Sequence, residues 1–471
     1  MATGIILLAN EFYWIGLLPF LLGIILLAMY AMDVLLMIIV FCTPLAINLE
    51  GKDFGVALSV PTEPLMAGVT LLFLIKITFE GGFDKKILRH PVTIAIIWYL
   101  VWMFFTSLTS TMPVVSIKHF IAKLWFICPF YFLATQMFKG KDSNTGLNTG
   151  IRNMRVFIWL YIIPLLIVIG YTVINHQMHG FTQKSANIVM FPFYNDHTAY
   201  AAAIAMFLPV TIAFIQDKNY SMAIRTISFF IFIVMITAIV LSYTRAAWIS
   251  IGVAFVVFLI FYFKIRFPVV MAGIIGLLIL YFSFATQITI KLKETKAQSA
   301  TDFSKHLKSI SNIRSDASNL ERLNRWHSAM RMFDEKPILG WGPGTYQFQY
   351  APFQQAKDKT IISTNAGNGG NAHSEYIGPL AESGILGFVT FALIIIMVTW
   401  RAIILYSNSD DKQIRLLVLS VFLGLVTYLV HGSLNNFLDT DKASVPFWGF
   451  IAIIVALDVY HSKGESEKVS G

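Results

Sequence analysis

Three stretches of this 471-residue chain carry side chains suited to chemistry. "LSYTRAAWIS" sets Arg245 between two apolar runs with almost no loop, and "SNLERLNRWHSAMRMFDEKP" carries Arg322 and Arg325. The third, "NAHSEYIGPLAESGILGF" at 371–388, begins polar, turns amphipathic and ends apolar, with His373 near the change. An arginine this close to hydrocarbon is costly, so Arg245 is either an interfacial snorkel or an anion site. A guanidinium suits bidentate phosphate binding. Arg322 and Arg325 are either a solvated helix face or part of the same site. His373 lies in polar, glycine-rich surroundings ("AGNGGNAHSEY"), where an imidazole is expected to be water-accessible and titratable, either an anchor or a base. Such a set suits displacement of a phosphate leaving group by a hydroxyl: histidine takes the proton and arginines hold the developing charge. The long loop containing these last two stretches has no DxD-type acidic pair, and the chain has no H-E-x-x-H, Walker A or G-x-S-x-G. Metal-assisted and nucleotide-dependent chemistry are therefore disfavoured, and no cofactor and no metal ligand is expected.

The elements that must position these groups are membrane helices. The chain is 56% hydrophobic and 13% charged, with a mean hydropathy of +0.69, against about 25% charged for soluble domains. Long apolar runs without alternation predict an all-α polytopic membrane protein of about 12–13 transmembrane helices. The spans fall near 13–31, 33–48, 63–79, 93–108, 119–138, 155–175, 198–216, 222–241, 246–263, 267–286, 386–406, 414–434 and 445–461. The first two are separated by little more than Asp33, so both need not cross. Lys85, Lys86 and Arg89, Lys139 to Arg155, Lys218 and Arg225, Lys264 and Arg266, and Lys412 and Arg415 lie in one set of connections; the alternate set is poor in Lys and Arg. The positive-inside rule puts the first set and the tail at 462–471 in the cytoplasm. Much of the formal charge of +9 is used in this way, so no nucleic-acid partner is implied. Cys42 and Cys128 lie in apolar segments and suggest neither a disulfide framework nor a zinc site. No cleavable signal is expected at the first apolar segment.

This reading divides the chain into a helix bundle at 1–286, a large, mostly helical external loop at 287–385, further transmembrane helices at 386–461, and the cytoplasmic tail. In the loop, Ser318 and Glu321 fit a capping box and Pro337 ends the helix. Leu323, Trp326, Met330 and Phe333 form an apolar stripe bordered by Arg322. Glycines 340, 342 and 344 of "GWGPGTY" allow a tight turn that approaches a ligand closely. If 372–383 is helical, His373, Tyr376, Ile377 and Leu380 share a face. Lys118 and Lys123, at the outward start of a span, either snorkel or touch phosphate.

In order along the chain, "SYTRAAW", R-x-x-x-W at Arg322–Trp326, "PILGWGPGTY" and "AHSEYIGPLAESGILGF" resemble the motifs of the O-antigen ligase family. That family includes O-antigen polymerases and protein O-oligosaccharyltransferases. The resemblance covers roughly 242–390 and is more specific for the superfamily than for one member. It implies a glycan donor linked to undecaprenyl diphosphate, a hydroxyl acceptor such as lipid A–core, and no metal or nucleotide. It also implies a multi-pass protein of the bacterial inner membrane, with its site facing the periplasm. By position, the family's essential arginines fall on Arg245 and Arg322 and its essential histidine on His373. Arg325, Tyr376, His197, Lys118 and Lys123 are further candidates for contact with diphosphate or glycan. "FPFYNDHTAYAA" adds Asp196 and His197 where the family often has an Asn-rich entry to a span, so His197 is the rival histidine. A polysaccharide transporter is the non-enzyme alternative, but charged residues gathered mostly at span ends favour a surface site.

Overall fold

A computed structural model describes residues 18–50, 57–140, 149–266, 317–359, 363 and 370–461, with scattered positions between 268 and 283. Among them, helices α1 (Leu18–Tyr30) and α2 (Met32–Cys42) are broken at Ala31, whose ψ of 57° is not helical. α2, at 11 residues, is shorter than the ~20 residues a crossing helix needs, and α1 starts at the edge of the described residues. The next helices are α3 (Thr62–Glu80), α4 (Pro91–Leu108), α5 (Pro113–Met137), α6 (Thr149–Met178), α7 (His197–Gln216), α8 (Met222–Leu241) and α9 (Arg245–Tyr262). They are followed by α10 (Ala317–Glu335), α11 (Ile377–Asn408), α12 (Lys412–His431) and α13 (Asp441–His461). Ten helices, α3 to α9 and α11 to α13, are long and apolar enough to cross a membrane. The protein is an all-α polytopic membrane protein. The span expected at 267–286 lies largely outside the described residues. The connection at 49–62, expected only as a loop, contributes to a short antiparallel pair, Ile47–Glu50 with Ala57–Val60.

Burial separates centre from rim. The hydrophobic windows of α7 and α12 are 78% buried and that of α13 89%, whereas α8, α9 and α11 bury 28%, 17% and 28%. The rim helices turn large side chains such as Phe230, Phe255 and Trp400 outward, as lipid-facing helices do. α7 packs along both α8 and α12, α12 also packs along α9, and α11 packs along α4. Buried polar contacts pin the bundle at both ends. At one end Lys442 Nζ donates to the carbonyls of Thr43 and Ala46, both at 2.8 Å, while Thr62 donates to Asp441 at 2.6 Å. At the other, Asp458 accepts from Arg401 Nε at 2.5 Å and lies 2.9 Å from His90 Nε2. Such contacts fix helix register where lipid supplies no partner.

α11 begins with a kink. Gly384 has φ 67° and ψ −168°, which leaves nearby carbonyls outside the helical ladder. Trp341 N–H donates to Ala381 O at 3.0 Å, Gly342 N–H to Glu382 O at 2.7 Å, and Ile385 N–H to Pro337 O at 2.9 Å. The GWG turn is thus laced onto the start of α11, and its glycines are required there. A Cβ on Gly340 would lie 2.4 Å from the Glu382 carbonyl, and one on Gly342 1.9 Å from Ser110 Oγ. Gly340 and Gly342 of the turn thus approach protein, while Pro343 and Gly344 line a cavity.

Candidate active site

The site is built around the six residues before α11. Asn371–Tyr376 is not helical, so the shared face expected for His373, Tyr376, Ile377 and Leu380 does not form; the helix starts at Ile377. Asn371 Oδ1 instead accepts from His373 N–H at 3.1 Å, and His373 takes a left-handed φ of 50°. That conformation costs a non-glycine residue about 1–3 kcal/mol, so neighbours must hold it. They do. Glu375 N–H donates to Gly432 O at 2.8 Å, and its Oε1 accepts from Tyr428 OH at 2.6 Å and Leu438 N–H at 2.9 Å. Tyr376 OH donates to Leu429 O at 2.8 Å, so this tyrosine braces the segment against α12.

α10 supplies the cations. Arg325 donates through Nε to Glu321 at 3.0 Å and through Nη1 to the Asn371 carbonyl at 3.0 Å, which fixes the histidine segment from above. Arg322, one turn earlier and half-buried, reaches Asn435 Oδ1 at 3.5 Å. The buried face of α10 is not the expected apolar stripe. It consists of Glu321, Asn324, Ser328, Ala329 and Met332, while Met330 is 40% exposed. The reason is that α10 lies on a polar loop: Asn324 donates to Gln354 at 2.8 Å and Glu321 accepts from Ser363 at 2.5 Å. Glu321, expected to cap the helix with Ser318, thus serves Arg325 and Ser363. Pro337 follows the helix end at Glu335, as its missing N–H requires.

From the bundle, Arg245 opens α9 and His197 opens α7, and Thr244 Oγ1 donates to the His197 carbonyl at 3.3 Å. A cation at a helix N-terminus adds to positive charge already there, which favours an anion. His197 Nδ1 lies 3.0 Å from Asp196 Oδ1. Although burial pushes the Asp196 carboxyl up, hydrogen bonds from His197 and Thr198 hold it below the usual range. The structure thus gathers His373, Arg322, Arg325 and the Asp196–His197 pair at one end of the bundle, with Arg245 beside His197. Burial first, then Arg325 and Arg322, push the His373 imidazole down to about 4, leaving it neutral at pH 7.

Two candidates stand apart. Lys118 is exposed on α5, and Lys123 is buried, with Nζ 2.6 Å from Asp439 Oδ1 and 2.8 Å from Leu438 O. Lys123 therefore serves an internal ion pair. The "DTD" at 439–441 is no paired acidic site, because Asp441 turns instead to Thr62 and Lys442. The sequence reading missed His431, Asn435 and Glu375. His431 Nδ1 and Nε2, Asn435 Nδ2 and Trp326 Nε1 are buried and have no hydrogen-bond partner among the described residues. The available signal was "HGSLNNFLDTD", a dense polar run directly after an apolar span.

Below Arg245 and His197 lies an apolar groove of about 610 Å³ between α7, α8, α9 and α12, lined by Trp248, Phe255 and Leu423 among others. Leu416 and Thr427, both on its wall, place its length at about 16 Å from the helical rise.

Residues 230–392 match the family model described as O-antigen ligase. Over this region the chain is similar to the O-antigen ligase family. That similarity supports a glycosyltransferase-type activity of the ligase and polymerase kind, with a glycan donor, an acceptor and membrane lipids as partners. The matched region contains Arg245, Arg322, Arg325, His373 and Tyr376; His197 and the polar run at 431–441 lie outside it. No curated protein matches the chain.

Proposed function

We propose that this protein moves a glycan from undecaprenyl diphosphate to a hydroxyl of lipid A–core, without metal, at the periplasmic face of the inner membrane. The observation that carries the reading is the junction of cations and buried donors with an apolar groove. Arg245 and Arg322 bring cations to this end of the bundle, Trp326 Nε1 and Asn435 Nδ2 are buried donors without a hydrogen-bond partner among the described residues, and the groove below accepts a hydrocarbon tail. A polyprenyl diphosphate matches both halves.

In the reaction, the acceptor O–H gives its proton to the neutral imidazole of His373 while the oxygen forms a bond to the sugar's anomeric carbon. The bond from that carbon to the phosphate oxygen breaks, and polyprenyl diphosphate leaves with the electron pair. Attack from the face opposite the leaving group inverts the anomeric centre. Arg322 and Arg245 hold the charge that grows on the leaving oxygen, and fixed donors in a dry site do this with little reorganisation. Arg325 keeps the His373 segment in place through Asn371.

The test is glycan analysis of a strain lacking the protein. Long chains stranded on the polyprenyl carrier are expected, whereas single repeats on lipid A–core would replace the ligase reading with a polymerase. Transfer by the purified protein is expected to survive EDTA. Loss of transfer that Mg²⁺ or Mn²⁺ restores would refute the arginine-based electrostatics.

A further inference from the structure

A second cavity, of about 490 Å³, lies between α4, α5 and α11 and shares no lining residue with the groove. Asn371, Ala372 and Ser374, which flank His373, line its mouth. Its wall follows α11 from Gly378 to Phe391, about 20 Å along the helix, so it reaches from the loop well into the bundle. The polar part holds Glu375, Glu382 and Asp439, and the deep part Met103, Trp102 and Phe391.

The polar groups define what fits. Lys123 neutralises Asp439 at 2.6 Å, which leaves Glu375 and Glu382, and burial pushes the Glu375 carboxyl up to about 7. Among the described lining residues no arginine is present and the lysine is already paired, so a phosphate finds no cation to hold it. Two buried lining atoms have no partner among the described residues: Trp448 Nε1, a donor on a residue 2% exposed, and Asn436 Oδ1, an acceptor. An ammonium satisfies acceptors only, and a phosphate satisfies donors only. A hydroxyl does both. Aromatic rings of Tyr99, Trp102 and Tyr346 add the flat apolar faces that sugar rings cover.

We propose that this cavity is the acceptor site and takes an uncharged, hydroxyl-rich sugar end of an amphiphile, with its apolar part directed toward Phe391. The proposal rests on the transferase reading above and adds the class of acceptor. The donor diphosphate and the acceptor sugar then reach His373 from separate compartments. The arginines that favour the diphosphate do not line the acceptor cavity, which keeps the donor from that compartment.

The test uses the full chain in lipid nanodiscs, with octyl β-D-glucoside and its 6-phosphate as probes and saturation-transfer NMR as the readout. Polyprenyl diphosphate binding is measured in parallel. The neutral glucoside is expected to bind saturably and the phosphate at least about tenfold more weakly. Val115→Trp and Thr390→Trp, which fill the cavity, are expected to abolish glucoside binding and leave diphosphate binding unchanged. Trp448→Phe keeps the ring and removes the unpaired N–H; it is expected to weaken the glucoside about tenfold, and it decides the matter if the bulky variants do not fold. Equal binding of both probes, or unchanged glucoside binding in Trp448→Phe, overturns the acceptor site. Missing diphosphate binding in the unmodified protein overturns the transferase reading instead.

Discussion

His373 is held in a left-handed conformation by Asn371, which Arg325 in turn fixes, so one arginine sets both the position and the charge of the imidazole. The pH dependence follows from the sign of that effect. A general base works when deprotonated, and here the imidazole is pushed down to about 4 by burial and then by Arg325 and Arg322. The acid limb of kcat/KM for the donor, which reports free enzyme, is therefore expected near pH 4. The limb of kcat should lie higher, because bound diphosphate favours imidazolium. Removing one depressing charge in Arg325→Ala should move the kcat/KM limb upward. A limb near 6.5 in the unmodified protein, unmoved by that substitution, would show that these arginines do not face the base. Arg245 and His373 stood out in the sequence because each breaks an apolar or glycine-rich context, and Arg322 stood out through the family resemblance. Glu375 and Asn435 did not, since hydrogen bonds between distant segments leave no local pattern, and His431 was signalled only by the polar run that contains it.

The spans were legible because length and hydropathy alone decide whether a helix crosses, and the expected limits differ from the observed ones mostly by a few residues. The breaks were less legible. Whether 372–383 would start as helix depended on the Glu375 contacts to Gly432, Tyr428 and Leu438, more than fifty residues away. The stripe on α10 was misread because its buried face meets polar groups of the loop. The GWG turn was read for its flexibility, when its glycines are needed by the close approach to α11. This yields a stability prediction. Gly340 has φ 67°, and an added Cβ meets backbone that cannot yield. Gly340→Ala should lower stability by about 2 kcal/mol or more, seen as a drop in Tm. Gly170→Ala, in α6 with nothing within 4 Å of the added Cβ, should cause no loss. Equal Tm values for the two variants would remove the argument for close docking.

At the scale of the whole molecule, the bundle brings one end of α7, α9, α11 and α12 together beneath α10, with an apolar groove below the cations and a polar cavity beside the histidine segment. Sidedness is testable at Asp334, exposed on α10. In a background with Cys42 and Cys128 replaced, Asp334→Cys should react with an impermeant thiol reagent in intact spheroplasts. Labelling only after permeabilisation would reverse the orientation. The central claim assigns the arginines to the donor and His373 to the proton, and separate donor-binding and single-turnover measurements on purified variants test it most directly. His373→Ala should bind polyprenyl diphosphate normally and lose about 10²–10⁴-fold in transfer rate. Arg322→Ala should lose about 10–100-fold in donor affinity as well, with only partial rescue by Arg322→Lys, which lacks the planar fork. Near-normal turnover in His373→Ala, or full donor affinity in both Arg322→Ala and Arg245→Ala, would contradict the assignment.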